Sequence, residues 1–111
     1  MNIVMLEGSL SSAAEVRRLA SGATLVQLQV TTRDESSTRS VPVSAIDPKP
    51  WVARLGAGDA IVVVGSIERR FFRSGGATAS RTEVVAHAIR KASDRRGAQR
   101  LLATVRARLD P

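Results

Sequence analysis

The sequence predicts a mainly β domain: a five-stranded closed barrel with a short helix between the third and fourth strands and a C-terminal amphipathic α-helix. Three observations predict it. Apolar segments of strand length are separated by turn residues from the N-terminus to Ile89. One proline-rich breaker, Asp47-Pro48-Lys49-Pro50, interrupts them once. Beyond Ser93 the apolar period changes from that of a strand to that of a helix. A chain of 111 residues has the length of one domain, and 43% apolar residues can supply a core. The expected division is a barrel over 1–92 and a basic helix over 93–111.

Each element follows from its pattern. Ile3, Val4, Met5 and Leu6 are apolar on both parities, so the first strand is expected to be covered on both faces before it ends near Gly8. Ser21-Gly22 is a turn, and after it Val26, Leu28 and Val30 alternate with Gln27, Gln29 and Thr31 in a half-buried second strand. Asp34–Thr38 is a polar hairpin loop. The third strand, Arg39–Ile46, contains Pro42, which lacks a ladder donor and so places an edge or bulge there. Pro50 suits the first turn of a short helix that carries Trp51 and Leu55 on one face, with Trp51 assigned to the core. Gly56–Asp59 turns the chain into a long fourth strand, Ala60–Arg73. Ser74–Ala77 is a flexible loop, and Arg81–Ile89 is the fifth strand. In the tail, Ala98, Leu101, Leu102, Val105 and Leu109 make one narrow stripe, with Ser93 or Asp94 as cap. A helix this short needs a surface to pack on, either its own barrel or a partner subunit.

The charge points to an anionic partner. Seventeen Lys and Arg face ten Asp and Glu, and fifteen of the cations are arginine, which suits phosphate forks and stacking. A genome-wide bias toward arginine is the competing source of such a balance. Residues 1–89 carry ten basic groups against eight acidic ones, and residues 90–111 carry seven against two. With no cysteine, disulfides, thiolate catalysis and cysteine-ligated metal centres are excluded. The carboxylates show no metal-ligand spacing and no phosphate-cradling glycine loop is present, so neither an enzyme nor a cofactor is expected. His87, alone on an apolar strand, reads as structural. No apolar run approaches the ~20 residues that span a bilayer, and the first residues lack a basic leader. The expected location is the cytoplasm, at the nucleoid, with no membrane partner and no small-molecule substrate.

Several segments together resemble the bacterial single-stranded DNA-binding protein family. Asn2–Leu10 resembles its opening strand. Glu15-Val16-Arg17 with Ser21-Gly22 is similar to the segment before its second strand. Gly58-Asp59-Ala60-Ile61-Val62-Val63-Val64-Gly65 resembles its Gly-Asp pair leading into a glycine-interrupted strand, and Arg81–Ala86 its closing strand. The resemblance covers about residues 2–90. It implies an OB-fold, a Greek-key barrel that holds oligonucleotides across its second and third strands and adjoining loops, and assembly into dimers or tetramers. Without the family's long linker and acidic tip, the chain looks like a short paralogue.

The expected function is therefore non-sequence-specific binding of single-stranded DNA, with RNA left open, in replication, repair or recombination. Arg33, Arg39, Arg70, Arg73 and Arg81 are expected to neutralise phosphates near the ends of the second to fifth strands, with Arg69 a weaker candidate. Phe72, on the outward parity and matching a stacking aromatic of the family, is the expected base platform, while Phe71 falls on the core parity unless a bulge at Gly65 flips the count. Three aromatics are few for such a binder, and Asp34-Glu35 would bring negative charge to a hairpin tip near the strand. Ile3, Val4, Met5, Val62 and Val64 are the expected subunit interface, with cover of the valines by the C-terminal helix as the other reading. The basic helix is either a second phosphate-contacting surface or an oligomerisation element with a solvated face. A protein-interaction module, as in a primosomal-accessory-like paralogue, is the alternative function.

Overall fold

A computed structural model describes residues 1–110. The elements run β1 (Val4–Leu10), β2 (Glu15–Arg18), β3 (Thr24–Arg33), β4 (Thr38–Ile46), α1 (Pro50–Ala53), β5 (Ala60–Ser74), β6 (Ala77–Lys91) and α2 (Arg95–Leu109). β1 pairs antiparallel with β5 along most of its length, then with β3 through Ser9 and Leu10. That double pairing, with a parallel contact of β4 with β6 at Val43–Val84 and Ser44–Val85, closes a ring of five strands, β1-β5-β6-β4-β3. β2 is a sixth, four-residue strand on the free side of β3; the sequence placed no strand there because all four residues are exposed and carry no apolar pattern.

Gly8 makes the closure possible. A side chain there would overlap the Thr31 carbonyl, so only glycine lets β1 approach β3 so closely. Ahead of β1, the Asn2 side chain continues the ladder: its amide donates to the Ile67 carbonyl (2.8 Å) and accepts from the Ile67 N–H (2.9 Å).

The interior is aliphatic. Leu10, Val26, Leu28, Val30, Val43, Ala45, Ile61, Val63, Val84 and Ile89 point inward from the strands, and Val52 and Leu55 join them from α1 and the residues after it. Burying each large aliphatic side chain is worth about 1.5–3 kcal/mol. Trp51 packs on this cluster but is only half-buried, so it stands at the rim of the core rather than within it. Pro42 is opposite Gln29, whose carbonyl accepts from Ser11 and therefore points away from β4. Pro42 nitrogen consequently faces the β6 side, where pairing begins only at Val43, and no ladder donor is lost.

β5 and β6 form a hairpin of fifteen residues per arm, about 50 Å if straight at ~3.3 Å per residue. It outruns the barrel and gives the molecule a 45 Å long axis against 32 Å in the other two directions. A bulge lies where Val64 pairs with Ala88 and Gly65 with Ala86, leaving His87 unopposed and its Nε2 3.1 Å from Ser66 Oγ. The extra residue is in β6, so the alternation along β5 is unbroken. Phe71 indeed keeps the parity of Ile61 and Val63, yet it is 65% exposed. The expectation of a core Phe71 fails because no barrel remains beneath the hairpin that far out.

α2 is capped by Asp94, whose carboxylate accepts from Gly97 N–H at 3.0 Å, and it packs on β6 and β5 of its own chain. Val105 is buried there. Val62, on the outward parity of β5, is buried too and lies outside the barrel-interior cluster, so this member of the expected subunit interface is already covered within the chain. Ile3, Met5 and Val64 are half-buried, whereas Val4, on the inward parity of Leu6, packs against the interior cluster and so does not belong to the expected subunit interface. No helix of the described residues is long and apolar enough to cross a membrane.

Candidate nucleic-acid interface

Because Val26, Leu28 and Val30 point inward, Gln27, Gln29, Thr31 and Arg33 must point out. On β4, Ser40, Pro42 and Ser44 take the same side. This face is polar and short of charge.

The hairpin supplies the charge. Cross-strand pairs share a face, so Arg70–Arg81, Phe72–Ala79 and Glu68–Glu83 lie together on one side of β5–β6. Arg81 borders a small depression of about 60 Å³ together with Gln27, Gln29 and Glu15, which joins the hairpin face to the outer face of β3. Phe72 is 44% exposed on that side. Arg70, Phe72 and Arg81 are therefore brought together, and Arg33 shares their outward orientation at the end of β3.

Arg39 and Arg73 are not on this side. Arg39 pairs with Thr32 and has the inward parity of Val41. Arg73 pairs with Thr78 and shares with Arg69 and Phe71 the opposite face of the hairpin. Both faces of the projecting hairpin thus carry a phenyl ring flanked by arginines. The signal for the second face was in the sequence: a fifteen-residue arm is too long for a small barrel to cover.

One of the cations is partly engaged. Arg70 Nη2 lies 2.9 Å from Glu83 Oε1, and Glu83 is 4% exposed although it points outward. The contact is an ion pair without a well-directed hydrogen bond, because Oε1 has no donor aligned on it; Ser44 Oγ, on the same outer side, is likewise buried without a partner. A buried carboxylate held by a half-exposed guanidinium fixes where Arg70 points. Asp34, at the β3–β4 tip, is also engaged. Its Oδ1 accepts from the N–H groups of Ser36 and Ser37, both at 2.9 Å, and from their hydroxyls. These donors, the Ser36 N–H first, hold its carboxyl below the ordinary aspartate range.

The fold has a known counterpart. The crystal structure of wild-type single-stranded DNA binding protein from Thermus aquaticus superposes on 82% of this chain with a TM-score of 0.69 and 23% sequence identity. The fold is an OB-fold. The matched region amounts to 40% of the Thermus protein, so the likeness extends over less than half of that chain. No protein-family model matches the sequence, and no curated protein matches it significantly. In OB-fold proteins generally, oligonucleotides lie on the side that here corresponds to the outer face of β3 and β4, flanked by loops that correspond to the β1–β3 connection and the β5–β6 hairpin.

Proposed function

We propose that this protein binds single-stranded DNA without sequence preference, as an OB-fold paralogue of the bacterial single-stranded DNA-binding proteins working in replication, repair or recombination. The observation that carries the reading is the continuity of the β3 outer face with a hairpin face bearing Arg70, Phe72 and Arg81. The Thermus counterpart supports it at the level of fold.

Phosphates run along the cations, and Arg33 and Arg81, which form no ion pair among the described residues, contribute more than Arg70. A base stacks on Phe72, worth about 1–3 kcal/mol. Arg69, Phe71 and Arg73 serve the reverse face of the hairpin, so a strand that wraps round the arm meets both, while Arg39 stands apart at the start of β4. One ring per face makes a single subunit a weak binder. Several subunits engaging one strand raise the affinity by effective concentration, and the half-buried Ile3, Met5 and Val64 are the surface on which such copies would meet.

Fluorescence anisotropy of labelled oligo-dT at two salt concentrations tests the reading. The expected result is affinity that falls steeply with salt, with preference for single strand over duplex, and about 5–150-fold weaker binding by Phe72→Ala. Salt-independent affinity or equal affinity for duplex refutes it. The second reading, an OB-fold used chiefly to bridge proteins, is favoured by the scarcity of aromatics. It predicts no oligo-dT binding at low salt and a stable complex with replication or restart proteins in a pull-down.

A further inference from the structure

A second basic site stands away from the hairpin tip. α2, the end of β6 and α1 border an open cleft of about 590 Å³, within the roughly 300–1,000 Å³ typical of small-ligand sites. It lies by Lys91, which pairs with Ile61 at the start of the β5–β6 ladder, whereas the hairpin tip is at Ser74–Ala77. Lys49, Arg90, Lys91 and Arg100 line it against one carboxylate, Asp94, and Trp51 forms part of its wall.

None of these four cations is neutralised by an ion pair among the described residues, since the salt bridge there is Arg70–Glu83. Asp94 is occupied as the α2 cap. Arg90 Nη1 donates to its own neighbour's carbonyl, Ile89 O, at 2.9 Å, and Arg100 Nε donates weakly to Arg96 O at 3.4 Å. Lys91 Nζ stands 5.3 Å from the centre of the Trp51 ring, within cation–π range. Four like charges gathered round one concavity repel one another, and an anion seated there relieves that repulsion. The indole favours a nucleotide among anions: an acidic peptide or bare phosphate would use the cations alone, whereas a nucleotide can also set its base against the part of the ring that Lys91 and the core leave open.

We propose that this cleft binds a nucleotide, its phosphate held by Lys49, Lys91 and Arg100 and its base against the part of Trp51 that the core leaves open. The nucleotide is free or is one link of a longer strand. In the second case the site adds a distant contact to the hairpin face and rests on the single-strand reading; in the first it does not.

Trp51 is the sole tryptophan and the chain has no tyrosine, so its emission reports the cleft. Thymidine monophosphate and an oligo-dT of about twenty nucleotides, long enough to span the molecule at ~3.4 Å per stacked nucleotide, are titrated while anisotropy follows binding of the labelled oligonucleotide. A glutamate-rich peptide and inorganic phosphate are the comparison probes. Saturable quenching by one or both nucleotide probes is expected, and the double variant Lys49→Ala/Arg100→Ala, both positions exposed, weakens it by about tenfold. Phosphate competes without quenching. Quenching by thymidine monophosphate without any oligonucleotide anisotropy supports the cleft and removes the single-strand reading. An anisotropy rise with no change of emission from either probe overturns the cleft and leaves the hairpin reading standing. No response to any nucleotide, unchanged curves in the double variant, or a response to the peptide alone also overturns the cleft.

Discussion

Arg70→Ala isolates the buried charge beneath the proposed binding face. Glu83 is 4% exposed, and the cation near it is Arg70, 2.9 Å away. At that separation and an effective dielectric of ~20, the attraction is about 6 kcal/mol before the desolvation of Glu83 is subtracted. Removing one partner of a fully buried pair costs about 3–5 kcal/mol. Arg70 is half exposed and water partly replaces it, so a loss of about 2–3 kcal/mol is expected. For a domain of this size that lowers Tm by about 8–12 °C. Circular dichroism during heating measures it. Adding Glu83→Gln to Arg70→Ala removes the stranded charge and should restore more than half of the loss. If Arg70→Ala melts within about 2 °C of the parent, or the double variant is no more stable than Arg70→Ala, the ion pair does not hold this face and the reasoning is wrong.

The remaining predictions probe other parts of the molecule. Phe71→Ala and Phe72→Ala should each leave Tm within a few degrees, because neither ring is buried, so a large fall for Phe71 would return it to the core. Gly65→Ala should destabilise markedly, since its methyl would overlap the Val85 carbonyl at the bulge; an unchanged melting curve counts against that register. Removing residues 93–111 should uncover Val62 and cost about 1.5–3 kcal/mol by denaturant titration, and light scattering on the same pair reads whether α2 alters the subunit count. The Asp34 carboxyl, followed by NMR, should titrate below the ordinary aspartate range. Because its folded value is depressed, its support of the β3–β4 turn is complete above the unfolded value. That support is lost as pH falls through the folded value, with exchange of the Ser36 and Ser37 amides speeding up; a midpoint at or above the ordinary value contradicts it.

Local pattern carried much of this. The alternation Val26, Leu28, Val30 against Gln27, Gln29, Thr31 determined which face of β3 is buried, since side-chain direction in a strand is a matter of parity alone. The breaker at residues 47–50 placed α1, and the switch to a helical period placed α2, with the structure choosing Asp94 over Ser93 as its cap. Phe72 facing outward had the same basis but was conditional on the bulge, and it holds because the extra residue lies in β6, leaving the alternation of β5 unbroken.

Burial, by contrast, depends on what stands opposite, and parity does not say. Phe71 has the parity of the core and lies in solvent, because only the assembled barrel fixes where the hairpin leaves it. Val62 has the parity of the surface and is buried, because α2 folds back over it. Glu83 shows no apolar pattern yet is nearly sealed by its surroundings, and the cleft unites Lys49 and Trp51 with Arg90, Lys91 and Arg100 from remote parts of the chain. Spacing along a strand is a local property that each residue inherits from its neighbours, whereas exposure and the meeting of distant charges are properties of three-dimensional closure, and these only the tertiary structure decided.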